Sequence, residues 1–160
     1  MSSRVSLAVA TALGVGYVPF APGTFGSLAG LAVFVAVRAA APAVGGLWID
    51  LVAIAIVYFA GVWAATAAES HFGHIDPGPV VIDEVLGMLV TLACVPVSAT
   101  GALVGFVLFR VFDVIKPPPC DRLEALPGGW GVMSDDLMAA IYSYACVQAL
   151  AWIAPGWMLA

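Results

Sequence analysis

Six carboxylates stand where acidic residues are scarce. Asp83 and Glu84 are neighbours in "VVIDEVLGMLV" (residues 80–90), at the head of an apolar run that continues to residue 109. Asp135 and Asp136 are neighbours before another such run, Glu69 closes a third, and Asp113 lies between Arg110 and Lys116. Acids converging on one site could not all stay ionised without a cation among them. Oxygen donors alone suit a hard ion such as Mg²⁺, with waters or phosphate oxygens completing its shell. Arg110 and Lys116 are each three residues from Asp113, so a helix would put all three on one face. Both could grip phosphate, the guanidinium as a fork and the ammonium as a point charge. The small-residue turns "APGTFGS" and "PGGWG" could aim backbone N–H groups at an anion, the first of them at a helix start. Taken singly, each group has a plainer reading: Asp135 and Asp136 as helix-dipole partners, Arg110 with Asp113 as a structural ion pair, Glu69 as a solvated helix end, His71 and His74 as loop residues. The case for one site is that independent segments each bring an acid to the same kind of position.

The elements that must position these groups follow from composition. The 160 residues are 63% hydrophobic and 9% charged, too apolar for a water-soluble domain. Apart from Arg38, residues 28–49 carry no charge, and neither do 51–68, 85–109 or 137–160. Each run approaches the roughly 18–20 apolar residues that a helix needs to cross a bilayer. None alternates in polarity as barrel strands do. The chain therefore reads as an all-α integral membrane helical bundle of about four to five membrane-embedded helices, with residues 1–160 forming a single membrane-embedded domain. The N-terminal "MSSRVSLAVATALGVG" reads as a short surface helix of the mature chain, since it has one Arg and no polar domain after it.

Breakers and caps divide the rest. "VPFAPGTFGS" leads into a helix capped by Thr24 or Ser27 and stopped near Pro42, and a second helix runs from about residue 46 to 69. "SHFGHIDPGP" is a loop, and Ser134 is the expected N-cap of the last helix, with Asp135 and Asp136 in its first turn. Pro96 and Gly101 break the middle run into a hairpin near residues 95–101. Its arms, 80–95 and 100–116, are roughly 24 Å each, and they return the acids to one membrane face. Arg4, Arg110, Lys116 and Arg122 then share the cytoplasmic side, with Arg38 near the other. Five Lys and Arg in all are too few for a nucleic-acid-binding stripe. The three cysteines form no CxxC, and two lie in apolar runs as small hydrophobes.

Three blocks, "GYVPFAPGTFGSL", "AESHFGHIDPGPVVIDEVLGM" and "FRVFDVIKPPPCDRLEALPGGWGVMSDD", resemble in order and spacing the signatures of the phosphatidylglycerophosphatase A family, and they span most of residues 14–136. The resemblance implies a Mg²⁺-dependent lipid phosphatase of the bacterial inner membrane. Its phospholipid substrate would be phosphatidylglycerophosphate, hydrolysed to phosphatidylglycerol and phosphate. It implies catalytic or metal-binding roles for Asp83, Glu84, Asp113, Asp135 and Asp136, with Glu69 as a further metal ligand. Phosphate-facing roles fall near Thr24, Ser27, Arg110 and Lys116. A small transporter or proton-coupled carrier would also use carboxylates in a helical bundle, but would hold them near the bilayer midplane.

Overall fold

The computed structural model describes residues 4–40 and 46–160. Its helices are α1 (Arg4–Ala10), α2 (Pro22–Ala40), α3 (Gly46–Phe72), α4 (Ile82–Thr91), α5 (Ala99–Ile115), α6 (Cys120–Glu124), α7 (Gly129–Ile153) and α8 (Pro155–Met158), with a 3₁₀ turn at Val15–Tyr17. The described residues contain no strand, only an isolated bridge between Val97 and Leu159. Three helices are long and apolar enough to cross a membrane, over Pro22–Ala39, Trp48–Phe72 and Gly129–Ile153. The architecture is the expected all-α membrane bundle.

α4 is the axis of the bundle: nine of its ten residues, all but Glu84, are buried. It packs against α2, α3, α5 and α7. Apolar contact with lipid is as good as contact with leucine, so close packing rather than loss of water must hold such helices together. Glycines supply it. A Cβ on Gly30 would lie 2.9 Å from both Val85 Cα and Met88 Cβ, and one on Gly26 would lie 2.7 Å from Val81 Cβ. The Gly23, Gly26, Gly30 stripe thus seats α2 directly on α4. Across α4, Gly87 receives the ring of Phe109, and Gly105 receives Leu92.

The hairpin forms as expected, with a shorter first arm. α4 stops at Thr91, the chain is non-helical to Ser98, and the Ser98 hydroxyl accepts a hydrogen bond from Gly101 N (3.0 Å) to cap α5. The break therefore falls before Gly101, which lies inside α5 against the Met158 carbonyl. The C-terminal segment closes over this turn: Ser98 N donates to Met158 O (2.9 Å) and Ala160 N to Pro96 O (2.7 Å). At the same end, Arg38 Nη2 meets Asp50 Oδ2 at 2.7 Å, and Cys94 N donates to the same oxygen at 2.7 Å. One buried carboxylate ties α2, α3 and the hairpin together.

Several helix limits differ from the sequence reading. α2 starts at Pro22, where the fixed φ of proline suits the first turn. Thr24 and Ser27 therefore lie inside the helix rather than at its cap, and Ser27 Oγ donates to Gly23 O (2.9 Å). The expected stop at Pro42 lies outside the described residues. α3 continues past Glu69 to Phe72. α7 starts at Gly129, five residues before Ser134, because Gly128 (φ 61°) makes the turn and Gly129 N donates to Thr66 Oγ1 (2.8 Å). Only glycine at 129 fits against the Val62 carbonyl. Asp135 and Asp136 are consequently interior residues of α7, and Ser134 instead shares a 2.9 Å hydrogen bond with Tyr58.

Candidate active site

Glu84 and Asp83 open α4, where a helix N-terminus favours negative charge. α7 runs past them and presents Asp136. Ligand-type oxygens of Asp83, Glu84 and Asp136 all lie within 4.8 Å of one another. Asp83 and Asp136 are buried, and Glu84 nearly so. Each has a buried carboxylate oxygen with no hydrogen-bond partner: Asp83 Oδ1, Glu84 Oε2 and Asp136 Oδ2. Orphaned buried acceptors are costly, and a shared cation would satisfy all three at once.

These acids open into a cavity of about 390 Å³ lined also by Ala21, Pro22, Gly23, Asp76, Arg110, Asp113, Lys116 and Asp135. Six carboxylates and two cations line it, leaving four formal negative charges in excess if every acid ionises. That imbalance fits one or two divalent cations. The donors are all oxygens, which suits a hard ion. The residues present therefore fit a metal of the Mg²⁺ type.

Arg110 Nη1 lies 2.8 Å from Asp113 Oδ2 and 3.7 Å from Glu84 Oε1. A side chain on Gly23 would collide with Glu84 and crowd the guanidinium, so the "APG" turn must be bare for α2 to approach them. Lys116 departs from the face it was expected to share. It caps α5 in the left-handed region (φ 47°), an unusual conformation for a residue with a side chain. There its ammonium reaches Asp135 Oδ2 (2.7 Å) and Glu124 Oε2 (3.0 Å). Burial works to lower the Lys116 pKa, but hydrogen bonds and charge from Asp135 and Glu124 outweigh it and hold the ammonium above the ordinary lysine range.

Of the ten residues singled out from the sequence, Asp83, Glu84, Asp113, Asp135, Asp136, Arg110 and Lys116 line one cavity. Glu69, Thr24 and Ser27 do not. Glu69 Oε1 accepts from Asp76 N (3.4 Å), which ties the end of α3 to the following loop. Thr24 lines an adjoining groove against α5, and Ser27 is fully buried. Asp76 and Glu124 were missed. Asp76 (φ 47°) enters the cavity from the α3–α4 loop. It keeps solvent access, yet the cavity wall strips enough water to raise its carboxyl above the usual range; Lys116 opposes the rise, and Glu124 and Asp113 reinforce it. Its only signal in sequence was its place in "HIDPGP", which reads as a turn.

The chain is similar over most of its length to known proteins. A Haemophilus influenzae phosphatidylglycerophosphatase A is 36% identical over 153 residues, covering 94% of this chain and 89% of its own. The Escherichia coli phosphatidylglycerophosphatase A is 32% identical over 137 residues, 84% of this chain and 77% of its own. A Bacteroides thetaiotaomicron protein provisionally named a phosphatidylinositol-3-phosphatase is 36% identical over 154 residues, 94% of this chain and 96% of its own. No solved structure matches significantly. The family profile of Phosphatidylglycerophosphatase A covers residues 8–151, from the end of α1 through nearly all of α7. With that span and those relatives, the chain belongs to the phosphatidylglycerophosphatase A family.

Proposed function

We propose that this protein hydrolyses the terminal phosphate monoester of phosphatidylglycerophosphate, releasing phosphatidylglycerol and phosphate, with Mg²⁺ held by Asp83, Glu84 and Asp136. The observation that carries the reading is the meeting, in one cavity, of three carboxylates with orphaned oxygens and the guanidinium of Arg110. Family membership supplies the substrate class.

When bound, the metal would supply positive charge to polarise the phosphoryl group. The chain's own groups do the rest. Asp113 holds Arg110 from one side, so the guanidinium is fixed before substrate arrives and needs no reorganisation as charge develops on the phosphoryl oxygens. Lys116 orients Asp135 at the cavity wall, and Glu124 steadies Lys116. Water attacks phosphorus in line; the bond to the glycerol oxygen breaks, and that oxygen leaves with a proton. Uncatalysed monoester hydrolysis is among the slowest of reactions, with enzymatic enhancements up to ~10²¹, so dense preorganised charge suits the task. We assign the cavity to the cytoplasmic face of the inner membrane, because Arg110 and Lys116 lie at its end of the bundle and Arg38 at the other.

A carrier is disfavoured, since the acids gather where α4 begins and α5 ends instead of midway along the helices. The Bacteroides relative's name favours a second lipid monoester, phosphatidylinositol 3-phosphate, and one assay separates the two. Phosphate release by the purified protein in detergent micelles is measured on each lipid, with Mg²⁺ and with excess chelator. Metal-dependent release from phosphatidylglycerophosphate, lost in Asp83→Asn, is expected. No release by folded protein, or full activity of Asp83→Asn, would overturn the reading.

A further inference from the structure

A lipid phosphatase must join a charged cavity to the bilayer, because its substrate has a dianionic head, a polar neck of glycerol and phosphodiester, and acyl chains. Two apolar hollows lie near the acids. One, between α1, α2, α3 and α4, is lined by Leu13, Val33, Val57, Ile82 and Val85 among others and shares no residue with the acid cavity. The other, about 450 Å³, runs between the first turn of α2 and the C-terminal half of α5. It is lined by Thr24, Phe106, Val107, Arg110, Val111, Val114 and Ile115. Arg110 and Val114 belong to both this groove and the acid cavity.

That continuity makes the groove the way in. Among the described residues that line it, Arg110 is the only charged one, and it stands at the junction, where it complements an anionic head. Val114 and Ile115 are 75% and 67% exposed although they flank Asp113 and Lys116. In a membrane bundle such side chains face lipid, so this stripe brings the bilayer up to the rim of the charged cavity. Val111 and Val107 continue the stripe one and two turns back along α5.

Resting on the phosphatase reading above, we propose that the α2–α5 groove is the lipid subsite: the phosphate passes Arg110 into the acid cavity, the polar neck rests at the mouth beside Arg110 and Thr24, and the apolar stretch along Val111, Val107 and Phe106 carries an acyl chain, which a long chain fills and a six-carbon chain engages only in part. Thr24 then faces the neck of the lipid, and among the described residues its hydroxyl is the groove's one uncharged polar side chain. α5 serves as a rail that sets chain orientation before chemistry.

The test compares kcat/KM on long-chain phosphatidylglycerophosphate with that on its dihexanoyl analogue, in the same micelles. Val111→Trp fills the groove, and Val33→Trp fills the other hollow. Val111→Trp should lower the long-chain value at least tenfold, mostly through KM, and far more than the dihexanoyl value, while Val33→Trp keeps the wild-type ratio. To bypass any folding defect, Val111→Cys is purified folded and then labelled with a bulky maleimide, beside wild type labelled at its own exposed Cys94. Labelling should reproduce the selective loss. An unchanged chain-length ratio in both Val111 variants, an equal fall on both substrates, or a selective loss in Val33→Trp instead would each overturn the groove assignment and leave the phosphatase reading intact. Failure of wild type to release phosphate from either lipid would overturn both.

Discussion

Replacing Asp136 by asparagine should raise stability without metal and lower it with metal. Oxygens of Asp136, Asp83 and Glu84 lie within 4.8 Å of one another. At that distance each fully ionised pair repels by about 3.5 kcal/mol at an effective dielectric of 20. Protons shared among the three acids relieve much of this, so removing one charge from the metal-free protein should gain about 1–2 kcal/mol. For a chain of this length, that is an increase of about 3–6 °C in Tm. Asn has the shape of Asp, so packing is conserved. With a cation at a hundred times its Kd, wild type gains about 2.7 kcal/mol. The variant, with one of three carboxylates gone, gains little. Thermal unfolding in detergent should therefore rank Asp136→Asn above wild type in chelator and below it in saturating Mg²⁺. Destabilisation of the variant in chelator, or a Mg²⁺-induced shift as large as that of wild type, would refute the claim that these acids share a cation.

Arg110→Lys keeps the charge and loses the fork that spans Asp113 and the phosphate; kcat/KM should fall by about 10–100-fold in the phosphate-release assay, equivalent to ~1.4–2.7 kcal/mol. Gly30→Val forces a Cβ to within 2.9 Å of α4, so α2 must shift. Unfolding should show a loss of about 1–3 kcal/mol, with lower kcat because Gly23 and Glu84 move apart. Arg38→Met strands the Asp50 carboxylate, which is 4% exposed. A buried pair broken on one side costs about 3–5 kcal/mol, which the 29% exposure of Arg38 reduces. Thermal unfolding should record the loss, and half-maximal phosphate release should need more Mg²⁺ than in wild type, because α4 loses one of its two fastenings.

The acids were legible because charge inside an apolar run has few excuses. The hairpin was legible because Pro96 broke a run that carried charge at both ends. What escaped notice depends on contacts between distant residues. The start of α7 is decided by Thr66 and Val62, which lie 63 and 67 residues before Gly129, and "PGGWG" gives no hint of either. α4 is ten residues long inside a far longer apolar run, because Asp50 captures the Cys94 amide and the C-terminal segment captures Ser98. Lys116 was expected to stay on the helix face of Asp113, but its left-handed backbone turns it toward α7. Asp76 and Glu124 lie in segments whose composition reads only as turn, and tertiary folding alone brings them to the cavity or to Lys116.

The helix that carries the acid pair is held at both ends by groups with no part in the chemistry. Before its first turn, Val81 N donates to Ala10 O (2.9 Å), so α1 anchors the start of α4. Beyond its last turn, Cys94 N is held by Asp50, itself neutralised by Arg38. Along its length, glycines on α2 leave no room for it to slide. Three ionised carboxylates repel one another, and a helix free to move would swing Asp83 and Glu84 away from Asp136. Fastening α4 at both ends opposes that relaxation and keeps the three acids close enough to share a cation. The Arg38–Asp50 pair, at the far end of the bundle from the acids, is thus part of what keeps the three acids together.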